Sequence, residues 1–431
     1  MSFIDHRLPG GIPLTRPGAE ESKSPRDAGE RSWYVLLVLL ASLMPATGNI
    51  FLFSFTMLSI ARDWGLTPFW ASVIGFLPKA ATPIGGIIFG SLSDRYGRRV
   101  ALLASVLVTG SAAALSGLSS GPWDFSICRL LLGMSLGGQW AISMTLVSEA
   151  WQPEKRGRAV ALVQASFPCG FLYASLLAFW AGEGYSWRVL LMLGALPAAL
   201  AAPLAYFTIR ESRLWMEDVA QKNLPKVPYR EVFRGDLLRH TILGTSIMFI
   251  GSFGAWSVNP WIPIYLGQLG FPGEKVPLLT FYIMVGALAG YLLYGFISDW
   301  LGRKLTFQIF FLGMAGALAS FGFLPMQAWA KGGFGNPTAF IILLGGVMAF
   351  FLGYFSGYGA LFAELYPTRV RSRGMGFCYS LGTVGGALGP VSTGYLSESL
   401  GIGWAFVIAS LVFLVGSFIV PLFPETKGKK L

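Results

Sequence analysis

Apolar residues run in long unbroken blocks along this chain. They neither alternate with polar ones nor form the narrow stripe of a helix with a wet face. Twelve such blocks can be marked: 33–60, 68–92, 100–119, 123–147, 159–181 and 187–209, then 241–267, 277–298, 305–324, 338–362, 374–396 and 402–423. An α-helix needs about 20 apolar residues to cross roughly 30 Å of hydrocarbon. Continuous runs point to helices, because barrel strands would alternate. One such run can also be written by a soluble core; twelve in series argue against that. The pattern predicts an all-α membrane protein with twelve transmembrane helices.

Composition agrees. Of 431 residues, 54% are hydrophobic and 12% charged, about half the charge of a soluble domain. Mean hydropathy is +0.60. The net charge of +11 would suit nucleic acid, but its distribution does not. With the N-terminus inside, most Lys and Arg fall on the inner side. Arg62, Arg188, Lys275 and Lys331 fall outside, and Lys79 and Arg129 lie within helices. That is the positive-inside pattern, and it predicts cytoplasmic N- and C-termini and no nucleic-acid partner. Residues 1–32 read as a flexible cytoplasmic tail without an apolar signal region. Residues 210–240 read as a charged cytoplasmic linker and 424–431 as a short tail. Cys128, Cys169 and Cys378 are scattered and the two histidines, His6 and His240, isolated, so metal and disulfide readings lack support. There is no phosphate loop and no nucleophile–base set, so neither an enzyme nor a cofactor is expected.

The chain repeats itself. "GSLSDRYGRR" at 90–99 returns as "GFISDWLGRK" at 295–304, and "SEAWQPEKRGRA" from Ser148 returns as "AELYPTRVRSRG" from Ala363. Two motifs recur in one order, each on the inner side. The chain therefore divides into two six-helix halves, 33–209 and 241–423. Parallel halves of this kind are a transporter architecture with its site at their interface.

At these residues the chain resembles the major facilitator superfamily. Gly90-x3-Asp94-Arg95-x-Gly97-Arg98-Arg99 is similar to its signature loop, and Arg129-x3-Gly133-x3-Gly137 to its fourth-helix motif. "RESRLW" from Arg210 and "FPETKGKKL" at the C-terminus are similar to sugar-porter signatures. "GLTPFWASVIGF" and "SEAWQPEKRGRA" resemble bacterial organic-acid importers, the aromatic-acid, sialate and metabolite:proton symporters. The resemblance implies a monomeric cell-membrane importer, in a bacterial inner membrane, that moves a small organic anion with protons. It also implies a cytoplasmic latch made of Gly90, Asp94, Arg95, Gly97, Arg98, Glu149, Arg156, Asp299, Arg303, Glu364 and Arg371. Gly90 and Gly295 would let helices approach closely at the membrane edge. Asp94 and Asp299 would face helix N-termini. The cations would bridge to Glu149 and Glu364. A plainer alternative is that the arginines only set topology.

Two charges stand deep in the apolar runs. Lys79 lies 15 residues before Asp94, roughly 22 Å along a helix. Arg129 lies nearer the outer end of its span. No acid is as deep, so the cavity is expected to be electropositive and to take a carboxylate. Gln139, Gln164, Asn259, Trp256, Tyr358 and Tyr379 join Lys79 and Arg129 as candidate substrate contacts. Each also has a packing or interhelical role open to it. The organic-acid branch carries an acidic pair early in span one; here "PATGNIFLF", 45–53, has Thr47, Asn49 and Ile50 in that region. Asp124 at the outer rim is then the proton-coupling candidate, or the substrate brings its own proton. A neutral sugar or polyol porter, an uncoupled facilitator and a non-transporting nutrient sensor are the alternatives.

Overall fold

The computed structural model describes residues 25–151, 156–181, 184–212, 215–216, 229–330, 337–367 and 370–427. The side chains of Asp94, Glu149, Arg156 and Arg371 lie outside the described set, and with them those four members of the expected latch. The structure is all-helical. The spans are α1 (Pro25–Trp64), α2 (Pro68–Tyr96), α3 (Arg98–Leu118), α4 (Pro122–Ala150), α5 (Arg156–Gln164, then Ser166–Ala181) and α6 (Trp187–Leu193, then Leu196–Thr208). The second six are α7 (Asp236–Trp256, a 3₁₀ turn, then Ile262–Gln268), α8 (Val276–Leu301), α9 (Arg303–Ala330), α10 (Pro337–Phe350, a 3₁₀ turn, then Phe355–Leu365), α11 (Arg371–Gly382, then Gly385–Leu400) and α12 (Ile402–Ile419).

Among the described residues, eleven helices are long and apolar enough to cross a membrane. The twelfth, α11, is broken at Thr383–Val384 into pieces of 12 and 16 residues, each short of a span. The break falls in the glycine-rich run Gly382–Gly386, where the chain has few side chains to hold a straight rod.

Within each half, one helix pair meets backbone to backbone. A Cβ on Gly85 of α2 would run into the Met134 carbonyl of α4, and Cβ atoms on Gly133 and Gly137 would strike the carbonyls of Pro78 and Thr82. The second half repeats this between α8 and α10: Gly290 faces the Phe350 carbonyl and Gly286 that of Gly346. Lipid tails give apolar side chains no reason to prefer one another, so small residues and close van der Waals contact select these pairs. Gly90 is a correction to the expectation. A Cβ there would meet nothing within 4 Å, because Gly90 turns away from the α2–α4 seam; Gly295 does make a close approach, with a Cβ lying 3.1 Å from the Ala161 Cβ.

The doubled loop is fastened by two glutamates. Gly97 (φ 101°) and Gly302 (φ 98°) turn the chain from α2 into α3 and from α8 into α9, in the left-handed region that favours glycine. At the first turn, Glu211 accepts the backbone N–H groups of Arg98 (2.7 Å) and Arg99 (3.2 Å). At the second, Glu425 accepts those of Arg303 (3.0 Å) and Lys304 (3.2 Å). Each carboxylate accepts two of the orphan N–H groups at the positive helix end, and each sits where a Cβ on Gly97 or Gly302 would be. Burial would raise the Glu425 carboxyl, but the backbone N–H groups of Lys427, Arg303, Lys304 and Thr426 hold it below the usual glutamate range.

A carboxyl depressed in the folded state stabilises above its unfolded pKa, about 4.3, and loses that contribution as pH falls through the folded value. Glu425→Gln is therefore expected to cost about 1 kcal/mol near pH 6. In thermal melts of detergent-solubilised protein, the gap to wild type should begin to close only below about pH 4.3. A gap independent of pH down to full protonation would refute the cap.

Candidate functional site

The face that carries the doubled loops, here the basic face, is closed by contacts between the halves. Asp299 at the end of α8 takes Arg303 Nη1 at 2.7 Å and lies 3.4 Å from Arg158 Nε of α5. Arg303 also reaches Glu364 (3.2 Å), whose other oxygen accepts the Thr426 hydroxyl at 2.6 Å. Arg98 Nη1 donates to the Ser93 carbonyl (3.1 Å), while Arg95 lies along the Tyr96 ring. Of the expected latch, Asp299, Arg303 and Glu364 thus come together, and Arg158, not singled out from the sequence, supplies the link across the halves.

A second layer lies deeper. Trp140 of α4 stacks on Tyr379 of α11, with centroids 3.4 Å apart and planes 7° apart. Trp140 Nε1 donates to Gln164 Oε1 (2.8 Å), and Gln164 Nε2 donates to the Phe355 carbonyl at the kink of α10 (3.0 Å). Phe355 opens the second piece of α10, just past the 3₁₀ turn at Phe351–Tyr354. Gln164 and Tyr379 hence bind the halves together beneath the centre.

Above this layer two small cavities share Phe51 and Trp256 as walls. They hold about 20 and 30 Å³, room for a water or two and not for an organic molecule. One lies against Phe53, Gly75 and Trp261; the other against Phe171, Asn259 and Tyr291. The rings form a column: Phe51 stacks on Phe171 at 4.1 Å and on Trp256 at 5.5 Å. Lys79 ends this column. Its side chain is 3% exposed, and Nζ stands 4.1 Å from the Trp256 ring centroid and 5.6 Å from that of Phe167. Gly386, just past the break in α11, makes the room; a Cβ there would stand 3.1 Å from Trp256 and 3.6 Å from the Lys79 chain. Among the described residues no carboxylate pairs with Lys79, and none lines either cavity. Asn259 Oδ1 and Trp261 Nε1, on the cavity walls, are buried without partners.

The other candidates disperse. Arg129 is 1% exposed, donates from Nη1 to the Asn49 carbonyl (3.1 Å), and lies over the Phe53 ring. Gln139 donates to Thr109 within the first half (2.7 Å), and Tyr358 to the Ile247 carbonyl within the second (3.0 Å); neither lines these cavities. Asp124 accepts the N–H groups of Ser120 and Gly121 at the start of α4, where it serves as a helix cap. Phe51, Phe53, Phe171, Tyr291, Glu211 and Glu425 were not singled out as site residues. The signal for the two glutamates was present: "RES" and "PET" follow the sixth and twelfth spans in matching places.

Known proteins align along most of the chain. The model of the Major Facilitator Superfamily matches residues 37–350 and 328–431. A "Probable 4-methylmuconolactone transporter" of Cupriavidus pinatubonensis is 30% identical, over 88% of this chain and 87% of that protein. The sialic acid transporter NanX of Escherichia coli is 29% identical, over 85% and 88%. The xylose transporter XylE of E. coli, in a partially occluded inward-open conformation, superposes with a TM-score of 0.74 at 18% identity, over 93% of this chain and 100% of that one. That last likeness is one of fold.

If Arg158–Asp299 holds the basic face shut, Asp299→Asn should loosen it by about 1 kcal/mol. A cysteine placed at Ala287, on the cavity wall, in a background lacking the native cysteines, should then react about fivefold faster with a polar thiol reagent. An unchanged rate would make the pair ornamental.

Proposed function

The chain belongs to the major facilitator superfamily, and from that premise we propose that this secondary transporter moves a small organic carboxylate across the membrane by alternating access. One observation carries the reading: the Lys79 ammonium is buried where α2, α5 and α7 of the two halves meet, with rings around it and, among the described residues, no acid paired with it. A charge left so deep is stable only if something completes it, and a carboxylate does so with a charge-assisted hydrogen bond. A neutral sugar leaves the ammonium unmatched and asks for many more hydrogen-bonding groups than Lys79, Asn259, Tyr291 and Trp261 supply. Flat rings at Phe51, Phe171 and Trp256 suit an apolar, planar body. Relatives that carry 4-methylmuconolactone and sialic acid by their names support the same class.

Alternating access follows from the contacts. To release cargo on the basic face, the Arg158–Asp299 pair, the Trp140–Tyr379 stack and the Gln164–Phe355 bond must part, with Gln164 and Tyr379 then free to face the cargo. To admit it from the other face, the walls around Phe53, Trp256 and Trp261 must separate. The cationic excess on the basic face supports a cytoplasmic position for that face and for both termini in a cell membrane. Import with protons is the coupling that the resemblance implies. Asp124 is engaged as a cap, which leaves Lys79 as the titratable group beside the cargo.

In proteoliposomes, uptake of [14C]benzoate or sialic acid is expected, and xylose should not compete. Lys79→Met should lower carboxylate uptake about 10- to 100-fold through KM, the worth of one hydrogen bond to a charged group. Lys79→Arg should retain part of it. Unaltered carboxylate kinetics in a well-folded Lys79→Met protein, or competition by polyols alone, would overturn the reading.

A further inference from the structure

Two polar groups on the cavity walls have no task in the account so far. Asn259 and Trp261 are the first and last residues of the 3₁₀ turn that interrupts α7. Pro260 between them has no N–H to offer the Trp256 carbonyl, so a regular helix cannot run through. The Thr393 hydroxyl of α11 donates to the Ser257 carbonyl (2.7 Å) and pins the break in place. Asn259 is 8% exposed and Trp261 7%. Yet Asn259 Oδ1 and Trp261 Nε1 meet no hydrogen-bonding partner among the described residues. Asn259 lines one cavity and Trp261 the other, and both cavities run along Phe51 and Trp256. Lys79 stands against the Asn259 cavity, because the two rings its ammonium faces, Trp256 and Phe167, are walls of it.

Leaving a buried donor or acceptor unmatched costs more than making its bond returns. The amide oxygen asks for a donor and the indole N–H for an acceptor. A hydroxyl is the smallest cargo group that supplies both, whichever end of the amide it meets. A second carboxylate would answer the indole but set oxygen against Asn259 Oδ1. Water can answer either group. A cargo C–H that displaces this water forfeits its bonds, whereas a hydroxyl replaces them. Position narrows the choice further. Lys79 meets the cavity at Trp256, about one turn before Asn259. The hydroxyl therefore belongs across the cargo from the carboxylate, not beside it.

We propose that Asn259, assisted by Trp261, determines specificity: it selects a planar carboxylate that carries a hydroxyl at the end remote from its charge. This rests on the carboxylate reading above and narrows it. Lys79 takes the charge from the first half and Asn259 takes the hydroxyl from the second. A cargo with both ends thus bridges the halves as they close. An acid without the hydroxyl leaves the turn of α7 unmatched and is carried less well.

The test uses the full chain in proteoliposomes with an acid-outside pH gradient, read against protein-free vesicles. The radiolabelled acids are benzoate, 4-methylbenzoate and 2-, 3- and 4-hydroxybenzoate. The 2-hydroxy isomer spends its hydroxyl on its own carboxylate and is the control. Vmax/KM for the better of the 3- and 4-hydroxy acids should exceed that for benzoate at least about tenfold, the worth of one hydrogen bond. The 2-hydroxy and 4-methyl acids should show no such gain. Asn259→Leu should bring the ratio of hydroxy acid to benzoate toward one. Trp261→Phe, which removes the N–H and keeps an aromatic ring, should lower it. A mere packing defect would slow every acid alike and leave the ratio standing. Should Asn259→Leu not fold, the wild-type series and Trp261→Phe decide. Equal kinetics for hydroxylated and plain acids, as when a permanent water serves Asn259, would overturn the selection and leave carboxylate transport standing. So would a hydroxyl advantage that survives Asn259→Leu. No uptake of any of these acids would remove both readings.

Discussion

Inside a bilayer a helix satisfies its own backbone, so it gains little by choosing one apolar neighbour over another. What selects neighbours here is how near two backbones can come. Gly85, Gly133 and Gly137 decide this for α2 and α4, and Gly286 and Gly290 for α8 and α10. These two seams make each half a rigid body. Rigidity in turn lets the contacts between halves be few, separable and placed in layers: the Arg158–Asp299 pair at the edge, the Trp140–Tyr379 stack beneath, and the ring column around Lys79 at the centre. A transporter that rocks two bodies against each other needs this division between permanent and breakable contacts.

The electrostatics follow the same division. At the basic face, cations meet carboxylates: Arg303 with Asp299 and Glu364, and the ends of α3 and α9 with Glu211 and Glu425. In the interior they meet aromatic faces instead, Lys79 on Trp256 and Arg129 on Phe53. Rings hold a cation more loosely than an acid does, and they leave its hydrogen-bonding capacity in reserve. Asn49, where an acid would have tied Arg129 down, offers only its backbone oxygen. The chain thus keeps its structural charges neutral and its central charges hungry.

Much of this was legible in the residues. Twelve apolar runs gave the spans, and the doubled loop gave the two-half plan. The break in α11 was visible as four glycines and a proline between Gly382 and Pro390. Lys79 and Arg129 stood out because a charge in an apolar run has no ordinary explanation. Facing was not legible. A membrane helix is apolar all round, so nothing local says whether Gln139, Tyr358 or Gly90 looks toward the centre, its own half or elsewhere. Gln139 and Tyr358 turned into their own halves, and Gly90 away from the α2–α4 seam. Long-range pairing was equally silent: Glu211 meets Arg98 across 113 residues and Glu425 meets Arg303 across 122, a register that only the fold sets.

Those two glutamates also order events in time. The first half receives its clamp from a segment synthesised directly after its sixth helix, so its basic end is complete while the ribosome is still making the linker. The second half must wait: the α9 terminus, already threaded into the membrane, stays open until translation has passed the twelfth helix. During that interval the backbone N–H groups of Arg303 and Lys304 lack the carboxylate that will cap them.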